Sequence, residues 1–238
     1  MPDIESGWRS IPSTPKPNMP KAIEEDFEKF KLEIGKANMY WSHFRALFTE
    51  SQQTVEILNE SAGGFFRHIQ EIYFDYAILH IGRMLDPAQT KVNKVPKDNF
   101  TLEKLHKELK SCLDQNSYDQ ANQIFSTIRK KYAASFKHLR NRTIAHMDYE
   151  TIKDPAQLPA INVLMVNQLL EKLAEYMNVI DGYFHNTEFA YDGFIERRGV
   201  QDLIATLRMG LRYEELVQSH DIAFDDLDHS KWQLRQDN

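Results

Sequence analysis

From Lys21 onward the chain alternates apolar and polar residues with a helical period. Ile23, Phe27, Phe30, Ile34, Ala37, Trp41, Phe44 and Phe48 follow one another in steps of four and three, which places them on one face of an α-helix. The seam predicts a single amphipathic helix of about 28 residues. Pro20 suits its first turn, and Glu24, Glu25 and Asp26 suit its positive N-terminal end. An aromatic seam of this kind is expected to be core, although so long a helix could also reach a partner. A second helix is expected from near Ser51, through Val55, Ile57 and Leu58, to a hinge at Gly63 and Gly64. No lysine followed by serine or threonine comes after these glycines, so they are not a phosphate loop. The next seam runs through Phe65, Ile69, Ile72, Tyr76, Leu79 and Arg83, with Phe66, Tyr73, His80 and Met84 on an adjoining stripe. A helix apolar over so much of its circumference is expected at the centre of the fold. Asp86 and Pro87 end it.

Residues 88–99 are polar and read as a loop. Leu102, Leu105, Leu109 and Leu113 mark a short helix. Ser117 and Gln120 have the spacing of a capping box, opening a helix that carries Ala121, Phe125, Ile128, Tyr132, Phe136 and Leu139. Asp154, Pro155 and Pro159 bound the next loop, and Ile161, Leu164, Leu170, Leu173, Met177, Ile180 and Phe184 mark a further long helix. Val200, Leu203, Leu207, Leu211 and Leu216 suggest a last one. No strand-like run of real length occurs, and no internal repeat. The expected fold is an all-α antiparallel helical bundle with a long first helix and a C-terminal helical appendage. Residues 1–19, with four prolines among serines and threonine, read as a disordered tail. Residues 20–186 form the bundle, and residues 187–238, acidic toward their end, form the appendage.

Composition narrows the class. The lone cysteine, Cys112, precludes an internal disulfide framework. It sits in a leucine-rich helical pattern, where it reads as a small core residue in a reducing compartment. No apolar run is long enough to span a bilayer, and the first residues lack the apolar stretch of a signal peptide. A cytoplasmic protein is expected. His68 and His80 lack metal-ligand spacing to any carboxylate or cysteine. His80 is expected to be buried and His68 exposed, and no metal or other cofactor is expected.

Charge singles out one place. The chain carries a formal net charge of -6, yet no acidic residue lies between Asp119 and Asp148. That window holds Arg129, Lys130, Lys131, Lys137, Arg140 and Arg142. Such an island attracts phosphate. It closes on Arg140, Asn141, Arg142, Thr143, Ile144, Ala145 and His146. An imidazole can move a proton near neutral pH, and guanidinium groups can stabilise negative charge in a transition state. Together they are a workable set for cleaving a phosphodiester. Basic residues at a helix C-terminus are also favoured by the macrodipole alone, and a histidine there can be a cap.

Arg140, Asn141 and His146, placed after several helices, resemble the signature of the HEPN superfamily of all-helical domains. There an arginine with a neighbouring polar residue precedes a histidine by four to six intervening positions. The wider layout resembles the AbiU-type abortive-infection branch. The shared features are Tyr40 and Trp41 in the first helix, the ending from Ile81 through Gly82, Arg83, Met84, Leu85 and Asp86 to Pro87, and the run from Thr143 to Asp148. The resemblance covers roughly residues 21–186. It implies a helical bundle, usually dimeric, and often a metal-independent endoribonuclease of a toxin or phage-defence system. Other members are non-catalytic binding modules. Under the first reading His146 is general base or acid, Arg140 stabilises the transition state and Asn141 orients histidine or phosphate. Lys137 and Arg142 would hold the RNA backbone. An antitoxin or defence partner is implied as well, and no membrane. In the toxin branch regulated by nucleotidylation a tyrosine lies two positions after the histidine. Here Met147 and Asp148 separate His146 from Tyr149.

Helical geometry adds one expectation. Residues six positions apart on a regular helix point about 120° away from each other and rise about 9 Å. One continuous helix therefore cannot aim Arg140 and His146 at one phosphate. Either the helix breaks before His146, or two copies of the stretch face each other across a two-fold axis. A homodimer with the two 140–146 stretches adjacent is expected.

Overall fold

The computed structural model describes residues 17–141, 161–193 and 199–221. The proline-rich residues 1–16, the loop holding Asp154 and Pro159, the Glu196 to Arg198 run and the acidic tail after Asp221 lie outside the described residues. The aromatic seam forms α1, Lys21–Phe48. Phe27, Phe30, Ile34, Ala37, Trp41 and Phe44 are all buried along it. The described residues are all-α apart from one small hairpin: α2 (Gln52–Met84), β1 (Gln89–Val92), β2 (Val95–Asp98), α3 (Leu102–Leu109), α4 (Gln115–Ile128), a π-helical turn (Arg129–Ala133), α5 (Ala134–Leu139), α6 (Val163–Phe184) and α7 (Val200–Gln218). The chain divides into two units. One takes residues up to Asn38 and from Ile78 to Tyr191, and the other takes Met39 to Ala77 and everything from Asp192.

In the first unit the core is built by Phe27, Phe30 and Ile34 of α1, Ile78 and Ile81 of α2, and the inward faces of α3, α4 and α6. Helix ends are closed by short polar side chains, which accept from amides that lack an intrahelical partner. Thr101 caps α3 and Asn162 caps α6. The cap of α4 is Asp114, whose Oδ1 accepts from the Ser117 amide at 2.7 Å, so Ser117 lies inside the helix rather than opening it. A carboxylate supplies a full negative charge at the positive helix end, where serine supplies only a dipole. The segment read as a polar loop is a hairpin. Asn93 and Lys94 both adopt positive φ, 52° and 66°, the turn geometry that pairs antiparallel strands through two residues. Val92 opposes Val95 in the register. All its strand positions are exposed, so no alternation of polarity marks it in the sequence.

Two buried polar groups are partnered within this unit. His106 accepts at Nδ1 from the Tyr176 hydroxyl (3.1 Å) and lies 3.2 Å through Nε2 from Asn122 Oδ1. An amide oxygen only accepts, so Nε2 carries the proton and the ring is the neutral Nε2–H tautomer. Phe125 stacks on it at 4.1 Å. Asp181 is fully buried. Its Oδ1 accepts from His185 Nδ1 at 2.9 Å, and Lys31 Nζ lies 3.1 Å from Oδ2. Lys31 in turn sits against the Phe27 and Phe189 rings. His80 is buried and His68 exposed, as the sequence suggests; His80 Nε2 pairs with the Glu33 carbonyl at 3.0 Å. Cys112 is only half-buried, beyond the end of α3.

In the second unit Trp41, Phe44 and Phe74 pack ring to ring, and Leu47, Ile57, Leu58, Phe66 and Ile204 form a separate apolar cluster. The hinge expected at the glycine pair is a kink one residue earlier, at Ala62 (φ -161°, ψ 58°), and α2 continues through it. The α2 seam does not lie in the core. Phe65 and Ile72 are each 61% exposed, while Phe66 on the adjoining stripe is buried.

Candidate functional site

The basic window is positioned by a four-residue repeat. Ile124, Ile128, Tyr132 and Phe136 are buried in succession, and the next step of four reaches Arg140. On a regular α-helix such steps drift around the axis, because a turn takes only 3.6 residues. The π-helical turn at Arg129–Ala133 closes i→i+5 and is wider. It holds the repeat on the core side, and Arg140 inherits that direction.

Arg140 therefore meets the C-terminal end of α2. Its Nη1 donates to Asp86 Oδ2 at 2.5 Å and to the Gly82 carbonyl at 3.5 Å. Its Nε and Nη2 donate to Asn141 Oδ1 at 3.0 and 2.8 Å. All three guanidinium nitrogens are thus engaged, and the side chain is 14% exposed. Gly82 makes this approach possible: a Cβ there would stand 3.3 Å from Arg140 Cδ. Arg129 makes a parallel contact, donating from Nη1 to the Leu85 carbonyl at 2.6 Å, with Glu103 3.5 Å from its Nη2. Two guanidinium groups thereby satisfy carbonyls at the negative end of α2, where cations are favoured.

The island divides accordingly. Arg129 and Arg140 point inward, and Lys130, Lys131 and Lys137 are exposed. Lys131 donates to Gln168 Oε1 at 3.0 Å and lies over the Tyr132 ring. Of the residues singled out in the sequence, Arg140 and Asn141 are brought together directly, and Lys137 lies on the surface one turn before them. Arg142 and His146 lie outside the described residues.

Two residues of this neighbourhood escaped the sequence reading. Asp86 was visible only as a helix ending, and it is the ion-pair partner of Arg140. His138 lies two residues before Arg140, and its Nε2 is buried without a hydrogen-bond partner among the described residues. A second histidine in the same basic run was its only sequence signal. Among the described residues no three His, Cys, Asp or Glu side chains gather as a metal site needs, and no helix is long and apolar enough to cross a membrane.

The model of the HEPN AbiU2 family matches residues 20–203. No curated protein and no solved structure matches the chain.

Proposed function

Since the chain belongs to the AbiU2 family of HEPN domains, we propose that it is a metal-independent endoribonuclease of a defence or toxin-type system. The observation that carries this reading is the Arg140–Asn141 pair, bonded side chain to side chain, at the head of the family's Arg-Asn to His stretch. The nucleophile is internal to RNA. The ribose 2′-hydroxyl attacks the adjacent phosphorus, the bond to the 5′-oxygen breaks, and a cyclic phosphate and a 5′-hydroxyl result. His146 takes the 2′-hydroxyl proton as general base. The leaving oxygen needs a proton at the same time, which His146 of a second copy supplies across a two-fold axis. Arg140 stabilises the charge that builds on the phosphorane-like transition state. Asp86 and Asn141 hold its guanidinium in place beforehand, so that less reorganisation is needed. Lys137 and Arg142 hold the backbone without reading sequence.

A second reading is favoured by a specific observation: every guanidinium nitrogen of Arg140 already has a partner within the chain. In that reading Arg140 is a pin between α2 and the basic stretch, and the domain is a non-catalytic binding module. The test is single-stranded RNA incubated with wild type and with His146→Ala in EDTA. Wild type should cleave, and the variant should be inactive with unchanged helicity and melting temperature. Equal cleavage by both overturns the catalytic assignment.

A further inference from the structure

The hairpin between α2 and α3 adds nothing to the core. Every strand position of β1 and β2 is exposed, and a two-stranded hairpin is at best marginally stable alone. This one is held at its root. The Asn99 amide donates to the Ala88 carbonyl at 2.8 Å, and Asn99 Nδ2 donates to the Pro87 carbonyl at 2.9 Å. Gln89 Nε2 reaches across to Asp98 Oδ1 at 2.8 Å. At the far end Val92 opposes Val95, a β-branched pair that stiffens the ribbon. The chain thus keeps an arm in place that buries little of its own surface.

The arm is basic. Lys91, Lys94 and Lys97 are exposed, and none has an ion-pair partner among the described residues. The one acid between Gln89 and Asn99 is Asp98, at the root and engaged by Gln89. Lys91 opposes Pro96 and Lys97 opposes Thr90, adjacent levels of the ladder and so opposite faces. Lys94 lies in the turn. Both faces and the tip therefore present a cation. The root also adjoins Arg140, because Asp86, its ion-pair partner, comes three residues before Gln89. A chain extends at most about 3.6 Å per residue, so Lys91 lies within about 18 Å of Asp86. Charges act over that distance at low ionic strength, where the screening length reaches about 30 Å. We propose that the β1–β2 hairpin is an RNA-binding arm, in which Lys91, Lys94 and Lys97 hold phosphates of a single strand to one side of the phosphate at Arg140. The choice of RNA rests on the ribonuclease reading; the placement of the cations does not. Contacts of this kind hold the strand without reading its sequence.

The test uses the full chain and a 2′-O-methyl RNA strand, which cannot be cut by attack of its own 2′-hydroxyl. Fluorescence anisotropy then reads binding whether or not the protein is a nuclease. Lys91→Gln/Lys94→Gln/Lys97→Gln should weaken binding at least about tenfold at about 50 mM salt. It should also lower the slope of log affinity against log salt by about 2, since each phosphate contact on a single strand contributes about 0.7. The loss should be equal for unrelated sequences, and the corresponding triple arginine variant should bind as wild type does. Lys21→Gln/Lys29→Gln/Lys36→Gln removes the same charge from α1 and should change affinity less than about twofold. All these side chains are exposed, so circular dichroism and melting temperature should stay unchanged. Unaltered affinity and slope in the hairpin variant overturn the proposal. An equal loss in the α1 variant does so too, since net charge alone would then explain it. So does a wild type that ignores RNA but binds anionic phospholipid vesicles through the hairpin lysines. If His146→Ala cleaves RNA as wild type does while the hairpin variant loses binding, the catalytic assignment fails and the arm stands.

Discussion

Replacing Gly82 with alanine should have opposite effects depending on residue 140. Glycine in a helix costs about 0.5–1 kcal/mol relative to alanine, so the substitution alone would be stabilising. In this structure the new Cβ would stand 3.3 Å from Arg140 Cδ and 3.7 Å from its Cβ. The arginine cannot step aside freely, because Asp86 and Asn141 hold its guanidinium. A Cβ at this distance asks Arg140 to give by a few tenths of an ångström, which strains charge-assisted bonds worth about 1.5–3 kcal/mol each. In the wild-type background Gly82→Ala should therefore destabilise by about 1 kcal/mol, the net of the two effects. In an Arg140→Ala background the obstacle is gone, and the same change should stabilise by about 0.5–1 kcal/mol. Urea unfolding of the four proteins measures both, and the cycle should give a coupling of about 2 kcal/mol. Additivity within about 0.5 kcal/mol would refute the claim that Gly82 exists to admit Arg140.

Two further outcomes follow from the buried polar groups. Burial, with a smaller push from Lys110, lowers the His106 pKa below its ordinary 6.5, while the Asn122 bond acts the other way. The unfolded chain then binds the proton more readily, so stability should be full above about pH 6.5 and fall as the pH drops below it. His106→Gln should flatten this part of the melting-temperature profile; an unchanged acid slope would contradict the assignment. Asp181→Ala removes the buried partner of the Lys31 ammonium, which then keeps Glu28 at 3.4 Å beside the Phe27 and Phe189 rings. It should cost about 3 kcal/mol in urea unfolding, and a loss under about 1 kcal/mol, the range of an exposed pair, would show that the pair does not act as a buried one.

The first helix was legible because its apolar residues repeat in steps of four and three and nothing interrupts them. The same signal in α2 predicts a helix correctly and its surroundings incorrectly. Periodicity identifies an apolar face at Phe65, Ile69 and Ile72, but it does not say whether the chain itself covers that face. The step of four from Ile124 to Phe136 fits an α-helix and a π-helical turn alike, so the direction of Arg140 was not readable. The pairing of Arg140 with Asp86 joins positions far apart in sequence, and no local spacing encodes it. The hairpin was missed because its strands are exposed on both faces; only the turn at Asn93 and Lys94 distinguishes it. Family membership was legible from Arg140, Asn141 and His146 together with the Gly82 to Pro87 ending, and Gly82 and Asp86 of that ending are the residues that receive Arg140.

The central claim is that the 140–146 stretch cleaves RNA by attack of its own 2′-hydroxyl. The most direct measurement compares an RNA with a DNA of the same sequence, both in EDTA, and identifies the product ends by mass. Cleavage of the RNA to fragments ending in cyclic phosphate, with the DNA intact and both Arg140→Ala and His146→Ala inactive, is the predicted result. An RNA that stays intact with wild type, or one cut equally by the His146→Ala protein, would contradict it.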